Sequence, residues 1–411
     1  MSRVIPQIDL GGLSVEDKKE NEFGALTSDD YRYTTVSRNG VPLPDPIEDE
    51  PPTYVYIITY LNYLILIIVG HIKDFIGINF QPHKYADLLE KDGMAPWYTK
   101  FESFYIRRMK QKIDDCFARP TAGVPGRLIT CIDRDAHDYN RYFTFPGTTS
   151  QCLNLSSYNY LGFAQSEGVC TDSALEAVDK YGVGVGGPRN VIGTTDLHTE
   201  TEQTIARFLG VDDAILFSMG YATNASLFAS LLDKKSLVIS DELNHTSIRT
   251  GVRLSGCSVK TFPHNNMQAL EKLLREQISQ GQPRSHRPWK KIIIAVEGLY
   301  SMEGTMANLP KLLELKKKYK FYLFVDEAHS VGAIGPRGRG VCDYFGIDPK
   351  EIDILMGTLT KSFGAAGGYV SGKQEIIDRL RLDINGQNYA EAIGTPVLAQ
   401  ILTSMKVIMA K

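Results

Sequence analysis

From about Cys152 onward, short apolar runs alternate with longer segments of helical pattern, and this alternation restricts the fold more than any other feature of the chain. The candidate strands are Ala214 to Phe217, Leu237 to Ser240, Ser258 to Phe262, Ile292 to Val296, Tyr322 to Val325 and Ile352 to Met356. Each is short, mainly apolar and followed by polar or glycine-rich residues. Candidate helices include His198 to Leu209, Met267 to Gln280 and Lys311 to Tyr319, the last opening after the start signal Asn308-Leu309-Pro310. Strands separated by helices imply an α/β fold, a mostly parallel sheet covered on both faces. In such folds ligands sit outside the carboxyl ends of the strands, so the residues closing each apolar run are the ones to inspect.

The chain has 411 residues, too many for one ordinary core and enough for two domains. Hydrophobic content of 43% and charged content of 23% place it among globular proteins. A formal net charge of −3, with no basic run, gives no electrostatic basis for binding nucleic acid. The cysteines (Cys116, Cys131, Cys152, Cys170, Cys257 and Cys342) have no CxxC spacing, which argues against a zinc site or a disulfide framework and fits a reducing compartment. Met1 to Asp49 is polar, acidic and proline-containing, without a signal core or an arginine-rich amphipathic pattern. That composition is expected to stay mobile.

Tyr54 to Gly70 is an uncharged run of about seventeen residues, at the short limit for a bilayer core of about 30 Å. Tyr54, Tyr56 and Tyr60 sit near its start, where an aromatic interface belt would lie. His71 and Lys73 follow, with Arg107, Arg108, Lys110 and Lys112 further on; by the positive-inside rule the C-terminal side faces the cytoplasm. Three readings stand: a span, a helix lying in the interface, and a buried helix of a globular core. The aromatic stretch Met94-Ala95-Pro96-Trp97-Tyr98 through Phe104-Tyr105 reads as packing, or as an interfacial surface.

Lys361 follows the last apolar run, in Gly357-Thr358-Leu359-Thr360-Lys361-Ser362-Phe363-Gly364-Ala365-Ala366-Gly367-Gly368-Tyr369, flanked by hydroxyls and small residues that admit a planar ligand. Asp326 closes the run Phe321 to Val325, and Glu327-Ala328-His329-Ser330 comes after it. His245 follows another strand, in Ser240-Asp241-Glu242-Leu243-Asn244-His245-Thr246-Ser247. An amine, a carboxylate and imidazoles at strand ends meet the needs of pyridoxal phosphate: an imine partner for its aldehyde, an acid for its ring nitrogen, a bond to its phenolic oxygen and a flat surface for its ring. Each has a plainer reading alone: a surface lysine, a helix-capping aspartate, structural histidines. Together Lys361, Asp326, His329 and His245 are candidate catalytic residues. Ser218-Met219-Gly220-Tyr221-Ala222-Thr223-Asn224 follows a strand and opens a helix, an anion site suited to phosphate, and Thr358 and Thr360 add hydroxyls. No Walker lysine pattern accompanies that loop. The glycine-rich segment Tyr181 to Arg189 reads equally as a flexible connection or as a place of close approach by a substrate or subunit.

These residues, in this order, resemble the α-oxoamine synthases, fold-type I pyridoxal-phosphate enzymes, over roughly Cys152 to Lys411. The strings that carry the resemblance are Asn154-Leu155-Ser156-Ser157-Tyr158-Asn159-Tyr160-Leu161-Gly162, Gly186-Gly187-Pro188-Arg189, Asp241 to His245, Glu297-Gly298-Leu299-Tyr300-Ser301-Met302-Glu303-Gly304, Asp326 to Ser330 and Thr360 to Gly364. The resemblance implies that Lys361 holds the cofactor as an imine, Asp326 meets the pyridine nitrogen, His329 the phenolic oxygen, and His245 stacks on the ring. It implies that Ser301 and Thr358 assist the cofactor and that Gly220 and Tyr221 lie by its phosphate. The membrane run, Gly93 to Trp97, Arg119 to Arg127 and Thr358 to Tyr369 resemble, more narrowly, the catalytic subunits of the fungal serine palmitoyltransferase branch. That branch implies condensation of L-serine with palmitoyl-CoA to 3-oxosphinganine. It also implies an endoplasmic-reticulum membrane with the catalytic domain facing the cytosol, and a homologous subunit 1 that lacks the lysine. The sister chemistries, 5-aminolevulinate synthase and glycine C-acetyltransferase, would share the lysine site but not the membrane run. A noncatalytic scaffold subunit would lack Lys361.

The expected organisation is a polar segment over 1–50, a membrane-associated helix over 51–80, a connecting region over 81–150, the large cofactor-binding α/β domain over 151–385, and the start of a truncated C-terminal region over 386–411. The family continues into a smaller C-terminal domain with a basic residue for the amino-acid carboxylate, and the chain is expected to be a fragment in that respect.

Overall fold

The computed structural model describes residues 51–96, 98–101, 103–124, 126–137, 140 and 142–409. The N-terminal segment Met1 to Asp49, Trp97 and Pro125, which entered the sequence reading, lie outside the described residues. The described residues fall into two compact units, one within Pro44–Leu155 and one from Ser156 onward.

In the first unit, helix α1 (Thr53–Phe80) runs 28 residues, about 42 Å at 1.5 Å per residue. It is longer than the uncharged run because the pattern continues through Ile72, Phe75 and Ile76. Along its apolar half the side chains are exposed, Tyr54, Ile57, Tyr60 and Leu64 among them, so a buried core helix is not what this segment forms. It is long and apolar enough to cross a membrane. Its C-terminal half buries a narrow stripe of Gly70, Asp74 and Gly77. Asp74 accepts from Arg107 (2.7 Å) and from Arg108 Nε (2.9 Å), and the Tyr85 ring fills the space a side chain at Gly77 would need. The unit also holds α2 (Gln111–Phe117), a three-stranded antiparallel sheet of β1 (Thr121–Ala122), β2 (Leu128–Ile132) and β5 (Thr149–Leu153), and the hairpin of β3 (Asp135–His137) and β4 (Tyr142–Thr144).

The second unit is built on a seven-stranded sheet. Its strands are β6 (Asp213–Phe217), β7 (Ser236–Asp241), β8 (Ser258–Phe262), β9 (Lys291–Glu297), β10 (Tyr322–Asp326), β11 (Ile354–Thr358) and β12 (Gly368–Gly372), in the order β6-β12-β11-β10-β9-β7-β8. All pairs are parallel except those of β12, which runs antiparallel to both β11 and β6. The helices are α3 (Val169–Tyr181), α4 (Asp196–Leu209), α5 (Gly220–Leu231), α6 (Thr246–Ser255), α7 (Met267–Gln280), α8 (Leu309–Tyr319), α9 (Val341–Phe345), α10 (Gln374–Asp383), α11 (Asn385–Asn388) and α12 (Thr395–Ile408). Strand side chains alternate between two apolar layers: Ile294, Val296, Leu323 and Val325 join one, Ile293, Ala295 and Phe324 the other. This is the mostly parallel, doubly covered sheet expected from the alternating pattern.

Local chemistry sets the element ends. Asn266 caps α7 by accepting from Ala269 N–H, and Asn308 caps α8 by accepting from Lys311 N–H. Strand β11 begins two residues later than its apolar run suggests. Asp348 caps a 3-10 turn over Pro349–Glu351, and Asp353 is diverted to accept from Leu323 N–H and to pair with Lys316. The later start carries the strand through Thr358.

Candidate active site

The carboxyl ends of adjacent strands bring the chemistry together. In the sheet register Asp326 on β10 stands beside Glu297 on β9 and Met356 on β11. Lys361 lies three residues beyond the end of β11, and its Nζ is 2.8 Å from His329 Nε2. The other imidazole nitrogen, Nδ1, is 2.7 Å from the Tyr160 hydroxyl. An ammonium at Lys361 only donates, so Nε2 then accepts and Nδ1–H donates to Tyr160 Oη. Burial, with the nearby Lys361 and His245, pushes the His329 imidazole down to about 4, so it is neutral near pH 7. Burial also lowers the Lys361 amine, against the pull of Asp326 and Glu297.

A cavity of about 350 Å³ opens here. Lys361, His329, His245 and Ser301 line it, with Tyr158, Glu297 and the segments Leu243–Thr246 and Ser301–Glu303. That volume lies in the range of small-molecule sites. Asp326, Thr358, Gly220 and Tyr221 are not among its lining residues, and each is tied to it through neighbours. Asp326 is 4% exposed; its Oδ1 accepts from Ala328 N–H at 2.9 Å and its Oδ2 from Asn224 Nδ2 at 2.7 Å. Burial pushes this carboxyl up, while those two donors and the neighbouring Lys361 and His245 side chains hold it down. Gly220 opens α5 directly against Thr358: a Cβ there would sit 2.7 Å from Thr358 Oγ1, itself 2.8 Å from Thr360 Oγ1. The Tyr221 ring stands 6.2 Å from that of His245, and its hydroxyl is 2.8 Å from Thr250 Oγ1.

These donors fit pyridoxal phosphate. An amine with a lowered pKa opens on the cavity, a buried carboxylate stands within its field, and the N-terminal amides of α5 lie beside the hydroxyl of Thr358. Sequence reasoning singled out none of Tyr160, Asn224, Ser247 and Glu297 individually. All four lie in strings it named: Tyr160 in Asn154 to Gly162, Asn224 at the end of the phosphate loop Ser218 to Asn224, Ser247 at the end of Ser240 to Ser247, and Glu297 at the start of Glu297 to Gly304. What lacked a signal was the pairing. Burial, then the adjacent Asp326, raises Glu297 to about 8, and its Oε1 accepts from the His245 backbone N–H at 2.5 Å.

Comparison with known proteins agrees with this reading. Residues 150–409 match the family model for aminotransferase class I and II. Serine palmitoyltransferase 2 of Kluyveromyces lactis is 69% identical over 404 residues, covering 98% of this chain and 72% of the relative. The Saccharomyces cerevisiae protein of the same name is 63% identical over the same shares. Among solved structures, Sphingomonas wittichii serine palmitoyltransferase superposes with a TM-score of 0.65 at 26% identity, covering 77% of this chain and 73% of that one. A serine palmitoyltransferase from S. paucimobilis holding a PLP–myriocin aldimine gives 0.63 at 29% identity, covering 75% of each chain. On its folded sheet, its lysine site and these relatives, the chain belongs to the aminotransferase class I and II family of pyridoxal-phosphate enzymes, among the serine palmitoyltransferase 2 proteins.

Proposed function

We propose that this chain is the catalytic subunit of a serine C-palmitoyltransferase, condensing L-serine with palmitoyl-CoA to give 3-oxosphinganine, carbon dioxide and free CoA. The observation that carries the proposal is one cavity edged by the Lys361 amine and the His329 imidazole, 2.8 Å apart, with the Asp326 carboxylate acting on the same amine. Relatives named serine palmitoyltransferase 2 at 53% to 69% identity support the substrate pair.

Bound pyridoxal phosphate supplies an electron sink for a carbanion at the amino-acid α-carbon. Lys361 Nζ would hold the cofactor through its aldehyde, and as a free amine that same atom would take the α-proton of serine. Its burial favours the neutral amine this requires. Asp326, its oxygens fixed by Asn224 and Ala328, would keep the ring nitrogen protonated. His329, held by Tyr160, would orient the phenolic oxygen, and His245 would cover the ring face. Ser301 and Thr358 would steady the cofactor, and the N–H groups opening α5 at Gly220 and Tyr221 would hold its phosphate.

The chain works, in this reading, beside a homologous subunit 1 that lacks the lysine. It sits at the endoplasmic-reticulum membrane with the catalytic unit facing the cytosol. The exposed apolar side chains of α1 suit a fatty acyl substrate and a product that partitions into lipid. The test is a visible spectrum of the complex with and without Lys361→Ala. An imine band that shifts on adding L-serine and vanishes in the variant is expected; a variant that keeps both band and turnover refutes the assignment.

A further inference from the structure

We propose that Asn224 is a positioning residue that wires the Asp326 carboxylate to the His245 ring, fixing the two groups as one unit. The inference deepens the cofactor reading above and rests on it.

Asn224 lies on α5, one turn after Gly220, and is 1% exposed. Its amide nitrogen has two hydrogens and both are used: one goes to Asp326 Oδ2 at 2.7 Å, the other to Ser247 Oγ at 3.0 Å. Its carbonyl oxygen is buried without a partner among the described residues. The reverse amide orientation would aim that oxygen at a carboxylate, so the donor orientation is the one the charges select. Ser247 Oγ, accepting from Asn224, keeps its own hydrogen for His245 Nδ1 at 2.7 Å. The Ser247 backbone N–H points at the same nitrogen from 3.2 Å. Two donors converge on Nδ1, so that nitrogen is an acceptor and the ring proton sits on Nε2. One side chain therefore holds the acid meant for the ring nitrogen and, through one hydroxyl, sets the tautomer of the imidazole meant for the ring face. The first bond is charge-assisted and the stronger of the two. The helix that presents Asn224 also presents Gly220 and Tyr221 at its start, so the same rigid element serves the phosphate side.

Two substitutions separate the arms. Asn224→Ala removes both donors; in the reconstituted complex it is expected to weaken pyridoxal-phosphate binding, followed by fluorescence titration, about tenfold or more. Ser247→Ala cuts only the His245 arm; cofactor affinity should stay within about twofold while KM for L-serine rises by about fivefold. Asn224→Asp is nearly isosteric and guards against a folding defect. As a neutral acid it donates to Asp326; once ionised it repels it. Cofactor affinity of this variant should match the parent at pH 6 and fall about tenfold by pH 9. The other groups facing Asp326 are Lys361, His245, Glu297, Glu327 and Tyr369, all common to variant and parent, so the difference reports on position 224. Unchanged affinity in Asn224→Ala, or a pH-independent ratio for Asn224→Asp, overturns the proposal. Lys361→Ala separates the failures. If it keeps both the imine band before any amine is added and its turnover, the cofactor reading has failed; if it loses them while both Asn224 variants match the parent, only the wiring has.

Discussion

Glu297→Gln should make the cofactor-free protein more stable as pH rises, with a size set by the sheet. Glu297 ends β9 beside Asp326 on β10 and is 5% exposed, so an ionised carboxylate there is both desolvated and next to another acid. Its carboxyl is pushed up to about 8 from an ordinary 4.5. A raised folded-state pKa means that the native protein keeps a proton which the unfolded chain releases above pH 4.5. Stability from this group is therefore whole below 4.5 and drains away as pH rises through 8. The slope is about 1.4 kcal/mol per pH unit, about 3 kcal/mol at pH 7 and about 5 kcal/mol above pH 8 as a ceiling. Glutamine keeps the shape and the oxygen that accepts from His245 N–H, and never ionises. Thermal melts of both proteins in detergent from pH 5 to 9 read the difference. At about 2 °C per kcal/mol, Glu297→Gln should gain about 5 °C on the parent between pH 5 and 7. A flat difference across the range, or a variant that loses ground as pH rises, would show that the strand-end acid is ionised and the argument wrong.

Tyr160→Phe removes the hydroxyl 2.7 Å from His329 Nδ1 and should lower kcat/KM about fivefold, the effect of one hydrogen bond of about 1 kcal/mol, with little change in melting temperature; steady-state kinetics on the complex check it. Gly220→Ala places a methyl 2.7 Å from Thr358 Oγ1, so the start of α5 must shift; cofactor affinity should fall about tenfold, read by titrating the imine band, and an unchanged value would remove Gly220 and Thr358 from the phosphate side.

What could be read in order along the chain, and what could not, divides by sequence distance. Lys361, Asp326 and His245 could be singled out because Asp326 closes an apolar run and the other two follow one within a few residues, and in a parallel sheet the end of a strand is an address as well as a boundary. Helix α8 was legible because Asn308-Leu309-Pro310 announces its start, whereas the cap that Asn266 gives α7 showed only in the structure. Strand β12 was not: Gly368-Tyr369-Val370-Ser371-Gly372 reads as more of the glycine-rich loop, yet every residue of it is buried between β11 and β6. Glu297 looked like one acid in a recognisable string, and its proton affinity depends on a neighbour from the next strand.

The amino-acid order alone determined the fold class, the membrane-competent helix and the cofactor chemistry, because period, composition and strand-end residues are local properties. Only the folded sheet decided how those groups act on one another. Tyr160 meets His329 across 169 positions, and Asn224 meets Asp326 across 102. Proton positions and charge states at the site follow from burial and from partners that close these distances, and neither exists until the strands have paired.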